Sequence, residues 1–370
     1  MRLQAVPMRV LITTTGFPGH WLPLVPFARA YKDAGHSVSV AGPRSCAPLA
    51  QTADFEFVPC ADLPADEVER MLAAAAVMSP EEAHAHVVSE GFAGIGARAL
   101  AEDMHRIVKM WRPDLVLHES QEFAAAAAAE RHGIPHARVA LGLSSTEQDT
   151  LELAGAQPSP LLTLVPAAFD DCGDAATHRF RVPRAPRVPR EDGEPLVYVT
   201  FGSVAPGLGY FPDLFRAVAD ALAAVPARVL MTTGADELDS LPPNVRVERW
   251  LPQETVLEGA DAVVSHGGYG TLLGALAHGL PQVVVPLFAR DQWRNAARVA
   301  ELGAGVALEG APRPVFAHPG PEILAALPGA VEHVLLQQRY ARAARAVAED
   351  IQTLPPVGEV VATLGSAVVA

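Results

Sequence analysis

SHGGYGTLLGALAHGLPQVVVPLFARDQWRNA, residues 265–296, repeats one rhythm twice. Ala262–Ser265 is an apolar strand candidate, and His266-Gly267-Gly268-Tyr269-Gly270-Thr271 is turn chemistry opening a helix over Thr271–His278. Gln282–Pro286 is apolar and β-branched again, and Asp291–Leu302 has helical spacing. Unbroken apolar runs of this length suit strands buried on both faces, which are the strands of parallel sheets. Strand, turn, helix and strand in that order predict a doubly wound α/β domain.

The same rhythm extends in both directions. Leu196–Thr200, Ala227–Met231 and Val245–Glu248 are strand candidates, with helices at Pro212–Ala223 and, broken along its length, Glu322–Asp350. Before them, residues 181–195 read RVPRAPRVPREDGEP, proline-rich and poor in apolar side chains, which predicts an extended linker whose arginines keep it solvated. The first half then restarts the pattern. Strands are expected at Met8–Thr14, His36–Val40, Phe55–Val58, Leu115–His118 and His136–Ala140. Leu24, Phe27, Ala28 and Tyr31 form one helical stripe, Gly35 suits a helix end, and Gln121–His132 is a further helix. Residues 64–110 are helical with a break at Ser79-Pro80, and 143–180 reads as a loop. The expected division is 1–183, a linker at 184–195, a second domain at 196–354, and a terminal segment at 355–370.

Composition narrows the partners. The 370 residues carry 28 basic and 42 acidic side chains, a formal net charge of −14, and only Lys32 and Lys109 are lysines. Nucleic acid and anionic membranes need clustered cations, so neither is expected as a partner. No lysine follows a glycine run, which removes a Walker A loop. Half the residues are apolar, enough for a large core. Cys46, Cys60 and Cys172 have no metal or redox spacing, no HExxH or Asp-x-Asp pattern occurs, and no metal or other cofactor is expected. Met8–Thr15 reads as a strand rather than a signal peptide, and no apolar stretch reaches the ~18 residues of a membrane span. The expectation is a soluble cytoplasmic protein; a homodimer is left open.

Three strand ends in the second half carry complementary chemistry. Trp250-Leu-Pro-Gln253 offers a ring that could stack on a nucleobase. The turn at 266–271 offers free N–H groups, a helix dipole and His266 to an anion such as a diphosphate. Asp291 and Gln292 suit sugar hydroxyls, because carboxylate and amide groups accept and donate in fixed directions. Each part alone is common; a lone tryptophan is usually core, and a lone GxG is weak. Their order along successive strand ends points to a sugar nucleotide. In the first half, Thr15-Gly-Phe-Pro-Gly-His20 follows a strand and places a histidine at a helix start, a candidate general base. Glu119, at the end of a later strand, is the candidate that orients it, with His118 as an alternative.

Residues 250–305 resemble the sugar-nucleotide signature of family 1 glycosyltransferases of the GT-B fold, particularly actinobacterial enzymes that glycosylate natural-product aglycones, and the likeness spans nearly the whole chain. It implies two Rossmann-like domains facing a cleft, an N-terminal one for the acceptor and a C-terminal one for the nucleotide sugar, with the terminal helix returning to the first. By that resemblance Trp250 flanks the base, and Gln253 and Ser203 join the donor site. His266 and the backbone of Gly268, Gly270 and Thr271 hold the diphosphate, and Asp291 and Gln292 hold the sugar. His20 deprotonates the acceptor hydroxyl, and Glu119 stands where the family usually has aspartate. Plant members carry a ribose-binding glutamate where this chain has Gly274. That departure favours a dTDP-sugar over a UDP-sugar as co-substrate.

The resulting expectation is an inverting, metal-independent glycosyltransferase acting on an apolar aglycone. Met71, Met78 and Phe92 are the acceptor-binding candidates, on the helices over 64–110. The alternatives are a nucleotide-sugar epimerase of the same fold and a catalytically silent sugar-nucleotide-binding partner.

Overall fold

The computed structural model describes residues 7–172, 177–184, 193–235 and 238–368. Most of the linker expected at 184–195 lies outside them. Two parallel sheets organise the chain. The first contains β1 (Arg9–Thr13), β2 (Ser37–Pro43), β3 (Glu56–Cys60), β4 (Leu115–Glu119), β5 (His136–Val139), β6 (Leu161–Thr163) and β7 (Thr177–Arg179), in the order β3-β2-β1-β4-β5-β6-β7. The second contains β8 (Leu196–Thr200), β9 (Arg228–Thr232), β10 (Val245–Glu248), β11 (Ala262–Ser265), β12 (Gln282–Val284) and β13 (Gly305–Ala307), in the order β10-β9-β8-β11-β12-β13.

Both sheets begin in the middle, run to one edge, and then cross back. The order reverses between β1 and β4 in the first sheet, and between β8 and β11 in the second. Such reversals leave a crevice at the carboxyl ends of the strands, where ligands bind in folds of this kind.

In the first half the helices are α1 (Pro18–Trp21), α2 (Val25–Asp33), α3 (Ala47–Thr52), α4 (Ala65–Ala75), α5 (Pro80–His86), α6 (Ala97–Trp111), α7 (Phe123–His132) and α8 (Ser144–Ala154). Leu24, Phe27, Ala28 and Tyr31 are all fully buried, so the stripe of α2 faces the core. Burying a Leu- or Phe-sized side chain contributes about 1.5–3 kcal/mol. Ser79 and Glu82 form a reciprocal capping box that starts α5, which is why the helical stretch breaks at Ser79-Pro80. Between α5 and α6, Val87–Gly96 winds as a π-helix.

The second half holds α9 (Asp213–Ala221), α10 (Gln253–Gly259), α11 (Tyr269–Ala277), α12 (Arg290–Glu301), α13 (Pro321–Leu336) and α14 (Gln338–Thr353), and α15 (Val360–Val368) ends the described chain. Val357, Val360 and Leu364 enter the core around α2, and Val357 N–H donates to the Arg181 carbonyl, so the C-terminus packs on the first half.

The stretch expected as a loop over 143–180 instead contains α8, β6 and β7. The polar composition of α8 hides it from an apolar-period reading. Its first turn is fixed from outside, by Asp170 accepting from Ser144 N–H (2.9 Å) and Asp171 accepting from Ser145 N–H (3.1 Å). The two halves share a core, since Leu143, Val165 and Phe169 pack with Tyr269, Leu272 and Val299.

Candidate active site

His20 lies on α1, whose first residue, Pro18, presets the helical turn. Its Nδ1 is 3.1 Å from Glu119 Oε1 and 3.0 Å from Thr15 Oγ1. Thr15 donates to Glu119 Oε1 through both its hydroxyl (2.7 Å) and its N–H (3.1 Å), and Gln121 N–H donates to Oε2 (2.7 Å). Glu119 is fully buried. Burial pushes its carboxyl up, but the charge and hydrogen bond of His20 and the bonds from Thr15 and Gln121 hold it below the ordinary carboxylate range. An ionised carboxylate on Nδ1 fixes the tautomer with the proton there and leaves Nε2 as the basic nitrogen. His118 is on the other face of β4, bonded to His136 (3.1 Å), so Glu119 is the residue that meets His20.

Two aromatic rings flank the imidazole. Phe17 lies 5.8 Å from it between ring centroids, and Phe92, on the π-helical segment, 5.2 Å. The other two acceptor candidates are elsewhere. Met71 lines a surface depression with Glu67, Arg70 and Arg98, and Met78 packs beside Val315, whose N–H donates to the Met78 carbonyl (2.9 Å).

Across the cleft, α11 starts at Tyr269 with Gly268 as its N-cap residue and no side-chain cap. Its first N–H groups are therefore available to an anion. The His266 ring fills the space beside Gly202 and Gly268. A Cβ on Gly268 would sit 2.4 Å from His266 Nε2, and one on Gly202 2.9 Å from Cε1, while Gly202 also has a φ of +75°. The ring stacks on Phe288 at 5.6 Å. Burial lowers the His266 pKa to about 4 against a smaller upward pull from the Thr200 backbone, so the ring is neutral at pH 7. Among the described residues its buried Nδ1 meets no hydrogen-bond partner.

Trp250 follows β10 and is 73% exposed. Ser203 is exposed in the turn after β8. Gln253, the first residue of α10, donates to Thr271 Oγ1 (2.9 Å), linking two donor-site candidates. Asp291 is in the first turn of α12 and partly exposed. Burial lifts its carboxyl to about 6, against the pull of its own N–H and of the His20 charge from the other half. Gln292 is buried, and its Oε1 accepts from Leu287 N–H (2.9 Å) and Phe288 N–H (3.1 Å). That leaves the amide nitrogen as its remaining polar group.

Residues that sequence reading did not single out complete the arrangement. Thr15 sits within the quoted turn, and only its contacts reveal its part. Tyr269 reaches across to Thr163 (3.4 Å) in the first sheet. Among the described residues no cluster of three or more His, Cys, Asp or Glu is placed to hold a metal ion, and no helix is long and apolar enough to cross a membrane.

Two Rossmann-like sheets whose switch points meet at one cleft, with a histidine–carboxylate pair opposite an uncapped glycine-rich helix start, define a glycosyltransferase of the GT-B fold. Residues 29–236 match the erythromycin biosynthesis protein CIII-like N-terminal domain, and 216–366 the corresponding C-terminal domain. The chain belongs to that family of natural-product glycosyltransferases. It is 32% identical to an L-demethylnoviosyl transferase of Streptomyces niveus, over 81% of this chain and 85% of that one. It is 30% identical to the elloramycin glycosyltransferase ElmGT of Streptomyces olivaceus, over 97% of each. Among solved structures, the glycosyltransferase VinC in complex with dTDP superposes with a TM-score of 0.75 at 23% identity, over 98% of this chain and 99% of that one.

Proposed function

We propose that the chain transfers a sugar from a dTDP-sugar to a hydroxyl of an apolar natural-product aglycone, with inversion at the anomeric carbon and without a metal ion. The observation that carries this is the buried Glu119 carboxylate on Nδ1 of His20, opposite Asp291. In this reading, Nε2 of His20 takes the acceptor proton as the oxygen attacks the anomeric carbon, and the nucleoside diphosphate departs from the far side. His20 becomes an imidazolium next to Glu119, and that charge pair stabilises the transition state. The departing diphosphate is received by the N–H groups at the start of α11 and by neutral His266 donating a hydrogen bond. Asp291 and the amide nitrogen of Gln292 orient the sugar, and Trp250 stacks on the base. Phe17 and Phe92 supply an apolar wall for the acceptor beside the base.

The preference for dTDP rests on Gly274. Glycine there offers no carboxylate to a ribose diol, and an added Cβ would sit 2.9 Å from Leu257 Cδ1. Relatives named as an L-demethylnoviosyl transferase and an elloramycin glycosyltransferase support the sugar-transfer reading, and a neighbour solved with dTDP supports the choice of nucleotide. Nuclear magnetic resonance of the anomeric proton in a product made from an α-configured dTDP-sugar tests it. A β-linked product supports inversion; an α-linked product overturns it.

A further inference from the structure

Helix α12 meets the first half through arginines spaced one turn apart: Arg290, Arg294 and Arg298. Arg290 is the first residue of α12, immediately before Asp291. Its side chain is 12% exposed, and its guanidinium bridges two carboxylates of the other half, Glu81 on α5 and Asp149 on α8. Arg294 adds a second bond to Asp149 (2.8 Å) and donates to Ser145 Oγ (2.8 Å). Arg298 donates to the carbonyls of Ala168 (3.0 Å) and Phe169 (2.9 Å). Burial raises the Asp149 carboxyl, but the two arginines outweigh it and hold it below its ordinary value, so it stays ionised. His84, half-buried beside them, is lowered to about 4 by burial and by the charge of Arg290. It is neutral at pH 7 and does not compete for the carboxylates.

The arms of this clamp are unequal. Glu81 is 69% exposed, and an ion pair to such a group contributes little. Asp149 is only 31% exposed and is gripped by two arginines, so it is the effective anchor. The placement matters because the anchored residue is adjacent to the carboxylate proposed to read the donor sugar. A charged pair at the first position of α12 fixes where that helix starts, and so where Asp291 stands relative to His20.

We propose that Arg290, held by Asp149, is a positioning residue that sets Asp291 for the donor sugar, so that the acceptor-side helices α5 and α8 organise the donor-sugar site. The inference rests on the proposed role of Asp291. It requires that loss of Arg290 weaken recognition of the sugar while leaving recognition of the nucleotide intact. A residue that only stabilised the fold would move both or neither.

Calorimetric titration with dTDP and with dTDP-glucose as probes makes the test. The readout is the ratio of the two dissociation constants in the wild type and in Arg290→Gln, Arg290→Lys, Asp149→Asn, the Gln/Asn double variant, and Asp291→Ala. The expected result is that Asp291→Ala removes the preference for dTDP-glucose, and that Arg290→Gln and Asp149→Asn each reduce it about fivefold. The double variant should be no worse than either single one, since paired residues are not additive. Arg290→Lys should restore part of it, and dTDP affinity should stay within about twofold in every variant. If Asp291→Ala removes the preference but Arg290→Gln and Asp149→Asn leave it unchanged, the clamp is not a positioning device. If the wild type shows no preference, or Asp291→Ala does not alter it, the sugar-reading role of Asp291 fails and the clamp proposal falls with it.

Discussion

Glu119 Oε1 lies 3.1 Å from His20 Nδ1, although 99 positions of sequence separate the two residues. The parallel pairing of β1 with β4 brings them together, because Thr13 at the end of β1 lies opposite His118, next to Glu119. The carboxylate is buried, ionised and already bonded to Thr15 and Gln121, so it cannot turn away from the imidazole without losing those partners. Glu119→Gln should therefore lower turnover about 10²-fold or more, since the neutral amide no longer stabilises an imidazolium. Steady-state kinetics on the folded variant check this, with nucleotide affinity as the control.

The same carboxylate links stability to acid. Its folded pKa is depressed, so it binds fewer protons when folded than when unfolded at intermediate pH. The stability it contributes is fully present above the ordinary glutamate range and is lost as pH falls through the lower folded value. Urea denaturation across pH 3 to 7 should show Glu119→Gln losing less stability on acidification than the wild type.

Asp291 titrates in the opposite sense. With its carboxyl raised to about 6, it is ionised at pH 7.5 and largely protonated at pH 5. Affinity for a dTDP-sugar should fall below pH 6 relative to dTDP itself, and Asp291→Asn should flatten that difference. Calorimetry at several pH values measures it.

Glycines in the turn before α11 separate packing from chemistry. Gly268→Ala places a methyl 2.4 Å from His266 Nε2 and should displace the ring, weakening dTDP binding by about tenfold, the loss of one charge-assisted hydrogen bond. A Cβ at Gly270 meets nothing within 4 Å. Gly270→Ala should leave the thermal midpoint unchanged or slightly raised, because alanine is the better helix residue by roughly 0.5–1 kcal/mol. Thermal denaturation with and without dTDP distinguishes the two.

Trp250 is exposed and contributes little to the core, so its removal should spare stability. Stacking of a base on an aromatic ring is worth about 1–3 kcal/mol, so Trp250→Ala should weaken dTDP binding about 5- to 160-fold, and Trp250→Phe much less. Fluorescence titration checks both.

The βα rhythm and the cleft-facing turns were legible because each depends on local pattern: apolar runs for β1, β8 and β11, and glycine clusters where the chain must leave a strand. His20 and Glu119 could be paired because one lies on the helix that follows β1 and the other ends β4. What sequence concealed is set by distant partners. Helix α8 has weak apolar periodicity and is started by Asp170 and Asp171. Met78 and Phe92 look alike as apolar residues on helices, yet one meets Val315 at the seam and the other meets His20. The arginines of α12 carry no sequence signal of their part, because the groups they grip lie in the first half, more than 120 positions away.

His20, as the proposed base, must matter for glycosyl transfer and not for nucleotide binding. Single-turnover transfer by His20→Ala, measured alongside its affinity for dTDP, tests it most directly. Transfer should fall by about 10²–10⁴-fold while dTDP affinity stays within about twofold. Transfer at the wild-type rate by a folded His20→Ala would contradict it.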